Sequence, residues 1–261
     1  MKITLFTSNN IRHVYLINLL SKICDELCVV IESRSIFKKN LHKNYSQSDL
    51  MKKYFEKVDI AQNNLYKKNH IIYFNNNIKI FPIMHGDLNF CIMNNLSEFL
   101  YSDYYIVFGS SFIKGDLINF LIEKKAINIH AGISPYYRGA DCNFWALYDN
   151  NPHLVGATIH MISKGLDNGP ILYHAMSNHK NNPFEYTMST LKSAFHSIAE
   201  RINDKTIFDS KPIIQDKSKE IRYTKKIDFN EEILKNYFCK DINLESKKFD
   251  SSLLHRPYFY K

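Results

Sequence analysis

The chain opens on an apolar run, KITLFT at residues 2–7, which breaks into the polar stretch SNNIRH; Val14, Leu16, Ile17, Leu20 and Ile23 then follow at helical spacing. LCVVIE supplies a second apolar run. A strand, a polar loop, a helix and a strand in that order predict the opening βαβ unit of a parallel sheet. Between residues 33 and 68 the pattern turns charged and amphipathic around Leu50, Met51, Tyr54, Phe55 and Val58, predicting a loop and then a surface helix. IKIFPI and YYIVFG read as further strands, GDLINFLIEKK as a connecting helix and AINIH as another strand. DCNFWALYDN predicts a short helix, and VGATIHMI and GPILYHAMS predict two strands joined by the glycine-containing loop SKGLDNG. A longer helix is expected over residues 184–207. Beyond Lys211, PIIQ and EIRYTKK have the pattern of a hairpin, followed by a basic, aromatic tail. The whole predicts an α/β fold, a mostly parallel sheet over residues 1–208 with a small hairpin and helix extension over 209–261, too short for a second full domain.

Composition narrows this frame only a little. No apolar run in the 261 residues approaches 18, so no membrane span is expected. The amino terminus turns polar too soon for a secretory leader, and a cytoplasmic location is expected. Cys24, Cys28, Cys91, Cys142 and Cys239 are odd in number and scattered, as reduced thiols are; Cys24 and Cys28 have neither zinc-knuckle nor CxxC spacing, and no metal is expected. A net charge of +8 favours anions, whether nucleic acid, an acidic surface or a phosphorylated small molecule, without choosing among them. There is no GxGxxG fingerprint and no GKS/T phosphate loop.

The candidate chemistry lies where AINIH ends. Ligands of open α/β sheets sit beyond the carboxyl ends of strands, and residues two apart on a strand project to one side. Asn128 and His130 can therefore converge on one small group, an amide N–H for a developing oxyanion beside an imidazole that exchanges protons near neutrality. Asp167, in GLDNG, is placed to return toward His130, orient it and favour its protonated form. Taken singly, Asn-x-His after a strand is more often a hydrogen-bonded turn, and an Asp in a glycine loop more often satisfies backbone donors. His13, His85, His160, His174 and His196 stand outside any paired motif, His160 reading as a residue on a strand face.

The stretch NIHAGISPYYRGADCNFWALYDN, with VGATIHMISKGLDNGPIL after it, resembles the signature of the folate-dependent formyltransferases that act on glycinamide ribonucleotide, methionyl-tRNA or nucleotide sugars. The resemblance extends over residues 1–207 and is strongest over 128–172. Ala131 and Gly132 stand where that family often has Pro-Ser, and Asn168 where it often has Thr. It implies a Rossmann-like formyltransferase fold that binds no NAD, Asn128, His130 and Asp167 as the catalytic residues, and 10-formyltetrahydrofolate as donor. It further implies that backbone groups hold the pterin, around Ser110, Ser111, Phe112 and Ile113 and in the loop of Ile162, Lys164 and Gly165. Ser8, Asn9, Asn10 and Arg12 correspond to a phosphate-binding loop in relatives, with a plain helix cap as the other reading. Arg138 and Gly139 are expected to shape the turn after the strand, Trp145 to pack in the core, and Tyr223 and Lys225 to contact a base and a phosphate.

Among acceptors, the short extension argues against tRNA, and the resemblance of TSNNIRH and ISPYYRG to the carbohydrate-directed branch points to a nucleotide-linked amino sugar, narrowed to a dTDP-4-amino-4,6-dideoxyhexose of surface polysaccharide such as O-antigen. A homodimer paired through the hairpin edge is expected, with no nucleic-acid partner. A methionyl-tRNA formyltransferase-like enzyme and a basic nucleic-acid-binding module are the alternatives, the latter requiring a continuous basic face.

Overall fold

The computed structural model describes residues 1–36, 48–67, 70–73, 76–178, 180–240, 242, 244 and 250–260. In chain order its elements are β1 (Lys2–Ser8), α1 (Ile11–Leu20), β2 (Glu26–Ser33), α2 (Asp49–Tyr66), β3 (Ile78–Met84), β4 (Tyr104–Val107), α3 (Gly115–Glu123) and β5 (Ile127–His130). Then come β6 (Tyr137–Gly139), α4 (Cys142–Tyr148), β7 (Ala157–Met161), β8 (Ile171–Ser177), α5 (Pro183–Asn203), β9 (Arg222–Thr224), α6 (Glu231–Cys239) and β10 (Tyr258–Tyr260). The loop expected ahead of α2 falls largely on residues 37–47, outside the described residues.

The main sheet runs β10-β8-β7-β5-β4-β1-β2-β3. Every pairing in it is parallel except β5 with β7 and β7 with β8. The order reverses between β1 and β4, which opens a crevice at their carboxyl ends, flanked by the loops that begin at Asn9 and Phe108. Unbroken apolar runs such as ITLF fit a sheet covered on both faces. Ile3, Leu5, Leu27 and Val29 pack with α1 and α5 through Leu16, Leu20, Leu191 and Phe195. Phe6, Val30 and Val107 point the other way, toward Leu117 and Leu121 of α3. The helices start where their sequences supply a cap: the Asn10 side chain accepts from Ile11 N, Ser48 from Met51 N, and Asn182, ahead of Pro183, from Phe184 N and Glu185 N.

The carboxyl-terminal extension corrects one expectation. PIIQ and EIRYTKK do not pair with each other as a hairpin. Ile213 instead bridges antiparallel to Ile171, and β9 lies parallel to β6, matching Tyr137 with Arg222 and Gly139 with Thr224. Both segments find better partners in the main body than in one another, and the hairpin edge through which a homodimer was expected is not there. The extension is built into the core: Leu234 and Tyr237 of α6 are buried against Phe144 and Trp145 of α4, and β10 continues the main sheet beside β8. Arg222 grips the Asp149 carboxylate with two hydrogen bonds, at 2.9 and 2.6 Å, and lies 4.6 Å over the Trp145 ring.

Close approach of β6 and β9 requires Gly139. Its φ is +91°, and a Cβ there would lie 2.0 Å from the Thr224 carbonyl oxygen. Gly139→Ala is therefore expected to lower unfolding stability by at least about 1 kcal/mol. Urea titration of the variant checks this, and an unchanged midpoint would show that the β6–β9 pair contributes nothing.

Candidate active site

β5 and β7 are antiparallel, and their register sets Asn128 directly opposite His160 and His130 opposite Thr158. Cross-strand partners share a face, as do residues two apart. One sheet face thus carries Asn128, His130 and His160 together. The loop after β7 leaves beside the start of β5, where Ile162 N donates to the Ala126 carbonyl at 2.7 Å. It then folds back over that face and brings Asp167 onto all three side chains.

The Asp167 carboxylate lies 3.3 Å from His130 Nδ1, 3.4 Å from Asn128 Nδ2 and 3.9 Å from His160 Nε2. Hydrogen-bond logic fixes the orientation of each group. The Met161 carbonyl, 2.8 Å from His160 Nδ1, can only accept, so that nitrogen carries the proton and His160 Nε2 is an acceptor. Asn128 Nδ2 donates to it at 2.9 Å, and the same amide nitrogen must face Asp167, since a carboxylate only accepts. His130 has an acceptor at each nitrogen, Asp167 at Nδ1 and the Tyr137 carbonyl at 3.2 Å from Nε2, the arrangement of an imidazolium.

Burial alone would push the His130 imidazole down, but the facing Asp167 charge, helped by Cys142, holds it well above the ordinary histidine range. Burial would likewise raise Asp167, and the attraction of the His130 imidazolium keeps that carboxyl far below the usual carboxylate range. Asp167 sits at φ +48°, a left-handed conformation that Asp tolerates better than most residues. Gly169 beside it is obligatory, because a Cβ there would meet the Met161 carbonyl oxygen at 1.8 Å.

The other expected site residues are placed as follows. Ser111 N and its hydroxyl donate to Glu32, a fully buried carboxylate at the end of β2 that also takes Gly86 N at 2.8 Å. Asn89 holds the next part of that loop, donating to the Phe112 carbonyl and accepting from Lys114 N, each at 2.8 Å. The Ser110 hydroxyl turns to the Ser111 carbonyl and Phe112 is exposed, while Ile113 is buried in the cluster that Ile162 packs against, so the two expected pterin loops are neighbours. Lys164 is exposed, and Gly165 leaves room for the Asn168 side chain, whose oxygen takes the Ser163 hydroxyl. Asn10 caps α1, Asn9 exchanges two hydrogen bonds with the Arg34 backbone, and Ser8 is buried with its N–H on His13, so three of the four expected phosphate-loop residues serve local structure. The Arg12 charge is felt at Asp141 and at its own neighbour on α1, His13. Arg138 pairs with Glu220 at 2.8 Å, donates to the Leu166 carbonyl at 3.0 Å and lies over Tyr223 at 5.5 Å. Tyr223 and Lys225 are exposed, the latter's backbone N–H taken by Asp228, and Trp145 is core. His160 and Glu32 are the residues that the sequence reading passed over. The signal for His160 was its cross-strand register with Asn128, which depends on β7 being antiparallel; Glu32 gave none beyond a charge at a strand end.

Residues 98–204 match the family model described as Formyl transferase. Among curated proteins, a methionyl-tRNA formyltransferase of Thermodesulfovibrio yellowstonii is 50% identical over 46 residues, a match spanning 18% of this chain and 15% of that protein. Among solved structures, a sugar N-formyltransferase from Shewanella sp. superposes with a TM-score of 0.54 at 16% identity, covering 88% of this chain and 78% of its own. A 4-N formyltransferase from Francisella tularensis gives 0.54 at 17% identity, with coverages of 87% and 77%. A phosphoribosylglycinamide formyltransferase from Anaplasma phagocytophilum gives 0.51 at 18% identity, with coverages of 78% and 88%. The chain has the formyltransferase fold.

The pairing of His130 with Asp167 has a pH signature. Its contribution to stability is full only where both groups are charged. It is lost as pH rises through the raised titration of His130 and, on the acid side, as pH falls through the depressed titration of Asp167. Asp167→Asn is therefore expected to lower the urea midpoint most between about pH 4 and 6.5. The deficit should shrink toward alkaline pH, and one that grows there would contradict the pairing.

Proposed function

We propose that the protein transfers a formyl group from 10-formyltetrahydrofolate to the amine of a nucleotide-linked amino sugar. The observation that carries this reading is the convergence of Asn128, His130 and Asp167 on one face of β5 and β7. The Formyl transferase match over 98–204 and the shared fold support it. The folate supplies a formyl carbon already activated on nitrogen, so no enzyme nucleophile is required.

His130 carries the central step. Its Nε2–H is spent on the Tyr137 carbonyl at 3.2 Å, a long contact that an oxygen gaining negative charge would replace. One Asn128 N–H is fixed on His160; the other meets Asp167 at 3.4 Å, a contact long enough that an oxygen lodged beside the carboxylate can share it. As the acceptor amine bonds to the formyl carbon, the carbonyl π pair moves onto oxygen, where these two donors meet it. Asp167 keeps His130 protonated and takes up the proton shed by the amine, which is returned to the folate nitrogen as its bond to carbon breaks. Asp167 and His130 thereby end as they began.

The choice of acceptor is supported by Arg12 after the first strand and by the exposed Tyr223 and Lys225, side chains that suit a nucleoside diphosphate. A dTDP-4-amino-4,6-dideoxyhexose destined for O-antigen or a related surface polysaccharide is the specific form of this proposal, with the cytoplasm as the place of the reaction. Among the described residues no helix is long and apolar enough to cross a membrane. The 46-residue likeness to a methionyl-tRNA formyltransferase favours a second reading, with a charged tRNA as acceptor.

Purified protein incubated with 10-formyltetrahydrofolate and a panel of amino sugar nucleotides, with methionyl-tRNA beside them, should add one formyl group to a sugar amine, seen by mass. His130→Asn and Asp167→Asn should each lower kcat at least about 100-fold. Formylation of the tRNA alone would select the second reading, and no transfer to any acceptor would remove both.

A further inference from the structure

Asp167 lies in the loop between β7 and β8, which must hold this left-handed residue with its carboxylate 3.3 Å from His130. Two side chains from outside the loop do that work. Arg138 donates to the Leu166 carbonyl. Gln215 places its single amide nitrogen between two others, 2.9 Å from the Asp167 carbonyl and 2.8 Å from that of Gly169, so both of its N–H bonds are used. Gln215 is held in turn by the Ile213–Ile171 bridge two residues earlier, whose hydrogen bonds are 2.7 and 2.9 Å. It lies in the carboxyl-terminal extension, past the segment 98–204 that matches the family model.

We propose that Gln215 is a positioning residue for the Asp167–His130 pair, its carboxamide fixing the Asp167–Asn168 and Gly169–Pro170 peptide planes so that the Asp167 side chain faces the imidazole. The proposal rests on the reading of that pair as catalytic. A strained backbone conformation persists only where its surroundings over-determine it. Without Gln215 two carbonyls lose their donors, the Asp167 peptide is free to rotate, and the carboxylate moves off His130 Nδ1. A displacement on the order of 1 Å at a reacting group costs roughly 100-fold in rate. The extension would then act as a strap on the catalytic loop, with Arg138 and its partner Glu220 closing the other side.

Gln215→Met keeps the length of the side chain and removes both donors. Two readouts separate positioning from mere stability. In the formyl-transfer assay kcat should fall about 10- to 100-fold while KM for either substrate stays within about threefold. In proton–nitrogen NMR of the folded protein, the His130 imidazole should titrate at lower pH in the variant than in the wild type. A lower melting temperature with unchanged kcat and unchanged His130 titration would overturn the proposal. Should Gln215→Met fail to fold, the uncharged Gln215→Leu, which likewise lacks both donors, is read in the same way. If the wild type transfers no formyl group, the NMR titration still decides: a shifted His130 upholds the strap while the proposed reaction fails, and an unshifted one removes the strap.

Discussion

Everything at this site depends on keeping a carboxylate and an imidazolium together out of water. Removing two ions from solvent costs several kcal/mol for each, and their attraction offsets this only when further hydrogen bonds complete their coordination. Asp167 and His130 are almost fully buried, and their surroundings supply what is needed: the Asn128 amide on the carboxylate, the Tyr137 carbonyl on the far imidazole nitrogen. The contact of 3.3 Å is longer than the roughly 2.8 Å of a closed charged hydrogen bond. Such slack is common at catalytic pairs before substrate tightens them.

The fold meets this requirement through one reversal of strand direction. Had β7 run parallel to β5, Asn128 and His160 would not form an opposed pair, and the following loop would not double back over the face. Because β7 is antiparallel, a single loop can cap three side chains of two adjacent strands. Its backbone is then fastened from both sides, by Arg138 next to the first strand and by Gln215 from the extension. The same extension, through β9 on β6 and the Arg222–Asp149 pair, fixes the turn that supplies the Tyr137 carbonyl. On the opposite side of the crevice the buried Glu32 performs a similar service for the loop at Ser111.

Local pattern was enough to read much of this. Apolar runs bounded by polar loops marked β1 to β5, β7 and β8, and the helix expected over residues 184–207 is α5, Pro183–Asn203. The spacing of Asn128 and His130 and the glycines around Asp167 picked out two side chains that the structure brings within 3.4 Å of the Asp167 carboxylate. What stayed hidden was set by distant partners. The three-residue strands β6 and β10 are too short for any periodicity, and β9, within EIRYTKK, pairs with β6 instead of the expected hairpin partner. His160 in ATIHMI looks like any polar residue on an alternating strand until the register sets it against Asn128. Gln215 and Glu32 act on carbonyls and amides of loops far away in sequence, a relation that no spacing along the chain records.

The roles of His130 and Asn128 turn on where a formyl oxygen rests. A crystal structure with a stable formylated folate bound is the most direct measurement. That oxygen is expected within about 2.6–3.2 Å of His130 Nε2 and the Asn128 amide nitrogen, with the Tyr137 carbonyl displaced. A folate whose formyl group lies away from both, with His130 still on Tyr137, would contradict these roles.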